Sequence, residues 1–139
     1  MSSHTFLFDQ VGSIPYCSPE IFHGEPYNQK VDVWALGCII YEMVTKKLAF
    51  SGSNEEQIKS KIVNGYIPKI PENSISKEII EIYDRCMKQK QTDRPTIAEL
   101  LAIDSIQDMA RRVNIHLPVQ AARKRSFLLQ ESINFSRLP

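Results

Sequence analysis

The sequence predicts a mainly α-helical domain, and three observations carry that prediction. Lys30 to Thr45 reads as a helix with almost no polar face. Ile58, Ile62 and Val63, and then Ile79, Ile80, Ile82, Tyr83, Cys86 and Met87, recur at the spacing of amphipathic helices. Two stretches, Ser53 with Glu56 and Thr96 with Glu99, carry a hydroxyl residue three positions before a Glu, the spacing of a helix capping box.

Residues 1–17 carry Gly12 and Pro15 and no helical period, which predicts an extended loop. Pro19 suits a first helical position, so a short helical turn is expected from Pro19 to His23. "HGEPYNQ" is a turn. The helix Lys30 to Thr45 places Val31, Trp34, Ala35, Leu36, Cys38, Ile39, Ile40 and Met43 around its whole circumference. A helix apolar on all sides is expected to be buried on all sides, so the domain should be built around it. Asp32 is its exception, a carboxylate in the first turn. The next helix starts at the Ser53 and Glu56 pair and can end at Gly65 in a left-handed conformation. "YIPKIPENS" connects it to the amphipathic helix Ser76 to Lys88, and "QKQTDRP" breaks that helix. Thr96 and Glu99 open a helix from Ile97 to about Asp104, and Ile106, Met109, Ala110 and Val113 mark a last amphipathic segment that Pro118 stops. Residues 118–139 are expected to form a basic, flexible tail.

A chain of 139 residues fits one domain, with 42% hydrophobic and 24% charged residues to build a core and a soluble surface. The formal net charge of +1 favours neither nucleic acid nor membrane as a partner. It hides an asymmetry. Residues 1–110 carry 11 Lys/Arg against 15 Asp/Glu, and residues 111–139 carry 6 against 1. The longest apolar stretch, Val33 to Ile40, is too short to span a bilayer, and "MSSHTFLFDQ" lacks the basic and apolar regions of a signal peptide. Cys17, Cys38 and Cys86 are odd in number and fit no metal spacing, which points to a reduced, intracellular chain, cytoplasmic or nuclear.

The chemistry lies in three short motifs in fixed order: "VGSIPYCSPE", then "PYNQKVDVWALGCIIYEM", then "TDRP". Together they resemble the C-terminal half, the large lobe, of a eukaryotic protein kinase domain. Their wording is similar to that of the NIMA-related serine/threonine kinases, over roughly residues 11–103. The resemblance implies a role for each matching position. Ser13 stands where the family has Thr, in the loop that receives the peptide substrate. Ser18, Pro19 and Glu20 occupy the place that anchors the end of the activation segment. Glu20 is expected to pair with Arg94 of "TDRP". Asp32 matches the Asp that hydrogen-bonds the backbone of the catalytic loop, and Trp34 and Gly37 match the packing residues of the same helix. The resemblance thus divides the chain into an activation-segment-like loop at 1–17, a large-lobe helical region at 18–117 and the tail at 118–139.

Taken singly, each residue has a plainer reading. Ser13 can be a turn hydroxyl, Asp32 can complement its helix dipole, and Glu20 and Arg94 can be unrelated surface charges. Ser126, behind three basic residues, fits a site for a basophilic kinase, though a solvated basic tail is the simpler reading.

The sequence departs from the family in two ways. Ile14 follows Ser13 directly and Pro15 comes one position late, which should reshape the loop. The second departure is larger. Phosphoryl transfer needs a Gly-rich loop, a strand Lys, a catalytic Asp with a following Asn, and the metal-binding Asp of D-F-G. Gly12, Gly24, Gly37, Gly52 and Gly65 never form G-x-G, and neither H-R-D nor D-F-G occurs. The expectation is a chain that starts inside an activation segment and has no N-lobe. It would have no catalytic residues, cofactor site or metal site of its own, while an intact relative uses ATP and Mg. Its partners would be a protein substrate, another protein, or a missing N-lobe. Asp32 would then lack its catalytic-loop partner and part of the central helix would lack cover, which predicts aggregation or a partner. Two alternatives stay open: a catalytically dead interaction module, that is a pseudokinase remnant, and a helical adaptor with a basic tail.

Overall fold

The computed structural model describes residues 14–117, and these are helical, with no strand among them. The chain divides into two compact units, Met1–Pro95 and Thr96–Pro139. The boundary falls inside the stretch read from sequence as one helical region.

The first unit opens with a 3₁₀ turn, Ile14–Tyr16, closed by the Cys17 amide donating to the Ile14 carbonyl at 3.1 Å. Helix α1, Pro19–His23, has Pro in its first turn and ends on Gly24 with φ of 66°, a left-handed position that favours glycine. Helix α2, Lys30–Thr45, is the longest of the described helices, at 16 residues. Helix α3 is Glu55–Val63 and helix α4 is Lys77–Cys86, followed by a second 3₁₀ turn, Gln91–Asp93. The core gathers Trp34 and Cys38 from α2, Ala49 and Phe50 after it, Ile62 from α3, Ile70, and Tyr83 and Met87 from α4 and its end. Trp34 and Phe50 stack with ring centroids 5.7 Å apart. The buried Tyr83 hydroxyl donates to the Pro68 carbonyl at 2.5 Å, so its one polar atom is paired. Gly37 lets α4 approach α2: a Cβ there would sit 2.5 Å from Met87 Sδ and 3.0 Å from Cys86 Cβ.

The expectation that α2 is buried on all sides is corrected. Val33, Trp34, Gly37 and Cys38 are buried, but Ile39 is 44% and Met43 75% exposed, and Asp32 is exposed. The expected capping box at Ser53 also shifts by one residue. Asn54 is the cap, its side chain accepting from the Gln57 amide at 2.9 Å, and Gln57 Oε1 reaches back to accept from the Ser53 amide at 3.0 Å. A short amide can close this ring as well as a hydroxyl can, so the spacing alone left the cap undecided. Gly65 has φ of 81°, two residues beyond α3.

In the second unit, α5 is Ile97–Leu101 and α6 is Asp104–Arg112. The Thr96 and Glu99 box forms in full: Thr96 Oγ1 accepts from the Glu99 amide at 3.1 Å and Glu99 Oε2 from the Thr96 amide at 2.9 Å. The helix expected to reach Asp104 stops at Leu101, because Ile103 turns extended (ψ 129°) and starts α6 anew. Of the apolar residues expected inward on α6 and just after it, Ala110 is buried, while Met109 and Val113 are 58% and 56% exposed. Pro118 and the basic tail lie outside the described residues.

Candidate functional site

The site forms where α1, the start of α2 and the end of α4 converge on one side chain, Arg94. It lies 74 residues from Glu20 in sequence, yet their side chains meet in a two-pronged pair, Nη1 to Oε1 and Nη2 to Oε2, both at 2.7 Å. The remaining donors go to main-chain carbonyls: Nε to Lys88 at 2.7 Å, Nη1 to Lys30 at 3.0 Å and Nη2 to Gln89 at 3.0 Å. All five N–H groups of the guanidinium are thereby satisfied. The fork also lies over the Trp34 ring, 5.1 Å from its centroid. Lysine could not replace this arrangement, because it has three donors on a point charge and no plane to stack.

Arg94 is 1% and Glu20 3% exposed. Burial pushes the Glu20 carboxyl up, but the Arg94 guanidinium, its own amide and the Ser18 hydroxyl more than offset this and hold it below the ordinary range. Breaking such a pair from one side leaves a buried charge unmatched, which costs about 3–5 kcal/mol.

The other candidate residues lie in unlike surroundings. Ser18 is fully buried and precedes α1, and Pro19 is buried in its first turn. Trp34 is core, and Gly37 is the close-approach point described above. Asp32 stands apart: it is exposed at the start of α2, and its side chain makes no hydrogen bond or ion pair among the described residues. Ser13 lies outside the described residues.

Two features were not read from the sequence. The Tyr16 hydroxyl donates to the Glu42 carboxylate, pinning the 3₁₀ turn to α2. That contact, with burial adding, raises the Tyr16 phenol above its usual range. The second is the end of the helix expected to reach Lys88, with the following "QKQT", part of the stretch "QKQTDRP" whose expected role is only to break that helix. Its Lys88 and Gln89 carbonyls receive Arg94, and Gln91 Nε2 donates to the Pro26 carbonyl at 2.9 Å. Backbone acceptors carry no side-chain signature, so no pattern could have shown them. Near the pair, burial pushes the Cys38 thiol up to about 12 and the Cys86 thiol to about 11, so neither is a nucleophile at neutral pH.

Residues 1–105 match the protein kinase domain family, and the chain belongs to it. The curated relatives narrow the class to the NIMA-related serine/threonine kinases. Serine/threonine-protein kinase Nek10 of Homo sapiens is 37% identical over 99 residues, 71% of this chain and 8% of the relative. Serine/threonine-protein kinase Nek4 of Mus musculus is 37% identical over 91 residues, 66% of this chain and 11% of the relative. The G2-specific protein kinase nimA of Emericella nidulans is 34% identical over 125 residues, 90% of this chain and 18% of the relative. The chain thus spans less than a fifth of the length of these relatives.

Intact members of the family use ATP with Mg. Among the described residues no cluster of three or more His, Cys, Asp or Glu could hold a metal ion. Their glycines serve turns and packing: Gly37 faces Met87 and Gly52 faces Gln57. No described helix is long and apolar enough to cross a membrane.

Proposed function

We propose that this chain is the substrate-docking loop and large-lobe scaffold of a NIMA-related-like serine/threonine protein kinase domain. In an intact relative the reaction moves the γ-phosphate of ATP to a protein Ser or Thr. The residues that bind ATP, hold Mg and activate the acceptor hydroxyl belong to motifs missing from these 139 residues, so the chain by itself is expected to be inactive. Ser13 is assigned to the peptide-receiving loop. Ser18, Pro19 and Glu20 anchor the end of that loop through Arg94, and Asp32, Trp34 and Gly37 form the supporting helix. Three buried cysteines with no disulfide among the described residues suit an intracellular protein.

The observation that carries this reading is the buried Glu20–Arg94 pair, which joins the "SPE" and "TDRP" motifs. A loop that must present a substrate needs a rigid base, and this pair with the Tyr16–Glu42 contact supplies one. The test is a chimera in which residues 11–103 replace the matching segment of an intact NIMA-related kinase. The chimera should phosphorylate a protein substrate with ATP and Mg, while the 139-residue chain alone should neither transfer phosphate nor shift its unfolding with ATP and Mg. A folded, ATP-binding chimera without transfer would remove the docking role. Transfer by the chain alone would overturn its assignment as a scaffold.

A further inference from the structure

Beyond residue 105, where the match to the kinase family ends, the distribution of charge changes. Residues 111–139 hold 6 Lys/Arg against 1 Asp/Glu, and all but Arg137 of those cations fall in two clusters. The first is Arg111 with Arg112. The second is Arg123, Lys124 and Arg125. The ten residues between them, "VNIHLPVQAA", contain no Lys, Arg, Asp or Glu and no Phe, Tyr or Trp. Like charges side by side repel, so a tail serving only solubility gains nothing from this grouping.

The structure shows how the first cluster is presented. Arg111 and Arg112 are the last two residues of α6, and both are exposed. Arg111 meets Asp108 at 2.5 Å, but the two side chains are 71% and 59% exposed, so the contact is solvated and worth little. Ala110, the buried residue of α6, precedes the cluster, and residues 113–116 are exposed. The end of α6 can therefore open without uncovering apolar surface, losing only closing bonds such as those from the Asn114 and Ile115 amides to the Arg111 and Ala110 carbonyls. The ten-residue spacer then reaches about 35 Å when extended. That is long enough for the two clusters to occupy separate sites on one partner.

The pattern of the charges selects the partner. Clustered Lys and Arg are the mark of a nuclear-localisation signal or of a nucleic-acid patch. A segment that tracks phosphates spreads its cations along the chain and interleaves rings for stacking. The spacer here has neither. Two tight clusters on an uncharged spacer suit a protein groove in which carboxylates take the charged heads and aromatic faces hold the stems. We infer that residues 111–125 form a two-part basic signal read by a nuclear-import adaptor with such an acidic, aromatic groove. The signal uses no residue of the Glu20–Arg94 site, so it stands apart from the kinase reading.

Two measurements on the full 139-residue chain test this. In one, the chain is fused to a passenger too large to diffuse through nuclear pores and is expressed in a eukaryotic cell. In the other, the purified chain is titrated with an import adaptor stripped of its own inhibitory basic segment. The expected results are nuclear accumulation and saturable binding. Arg123→Ala, Lys124→Ala and Arg125→Ala together should abolish both. Arg111→Ala with Arg112→Ala should weaken binding about tenfold. Deleting residues 118–122 keeps every charge but stops the two clusters engaging at once, and should weaken binding as much as losing Arg111 and Arg112. Helical circular dichroism should be unchanged in all three variants. Three results would overturn the inference: no binding to the adaptor; binding indifferent to Arg111 and Arg112 or to the shortened spacer, which marks a single cluster or non-specific attraction; or tighter binding to single-stranded RNA than to the adaptor, which would give the tail to nucleic acid.

Discussion

The two sides of α2 are both largely apolar and live in different surroundings. Trp34, Gly37 and Cys38 face the core, stacked on Phe50 or pressed against Met87, with the Arg94 fork lying over the indole. Leu36, Ile39 and Met43 face the other way and find little to cover them among the described residues. The difference shows that hydrophobic content tells how much a helix needs to bury, while its neighbours decide which part is buried. It also separates residues whose loss should unfold the unit from residues whose change should leave it folded.

The largest effect expected on this contrast comes from Arg94→Ala. It strands the Glu20 carboxylate and frees three main-chain carbonyls, and should destabilise the chain by about 3–5 kcal/mol in urea unfolding. Arg94→Lys should recover only part of that loss. Adding Glu20→Ala to Arg94→Ala should cost less than the sum of the two single changes, because the second no longer breaks a pair. A sum that is simply additive would deny that the two residues act as a unit.

Gly37→Ala comes next. The new methyl group meets Met87 Sδ at 2.5 Å, and forcing the side chain away should cost about 1–3 kcal/mol. If thermal unfolding showed no loss, the approach of α2 to α4 would be looser than described here.

Acid acts on the pair more gradually. The Glu20 carboxyl is held below its ordinary value of 4.5. A carboxylate with a lowered folded value contributes stability that is fully present above 4.5 and is lost as the pH falls through the folded value. Unfolding midpoints measured from pH 6 down should therefore drop below about pH 4.5 in the wild type. They should drop less in Glu20→Gln, which has no charge to lose.

The smallest effect belongs to the open side. Met43→Glu should stay within about 0.5 kcal/mol of wild type. Cys38→Glu, five residues earlier on the opposite side, should prevent folding. Equal damage from both would mean that the two sides of α2 are not the unlike surfaces described here.

Much of this was legible in the sequence for local reasons. The bounds of α2 follow from Lys30, from the unbroken run of helix-compatible residues and from the turn that precedes it. The Thr96 and Glu99 box is a three-residue geometry that the chain can form without help. The pairing of Glu20 with Arg94, 74 residues apart, was expected only through the family resemblance that "SPE", "DVW" and "TDRP" carry. The cap at Asn54 was misplaced by one because two candidate cap residues stand side by side and only the backbone angle chooses between them. The stop at Leu101 was missed for a similar reason, since Ala102 and Ile103 suit a helix.

By itself, then, the sequence determined which segments are helical, the capping box at Thr96 and which motifs run in which order, since these depend on interactions a few residues long. The tertiary structure alone decided which side of α2 is buried, because a helix apolar all round has no preferred face until Phe50, Tyr83 and Met87 pack against one. It alone filled the five donors of Arg94, because three of their acceptors are carbonyls that every residue possesses and only the fold brings to one point.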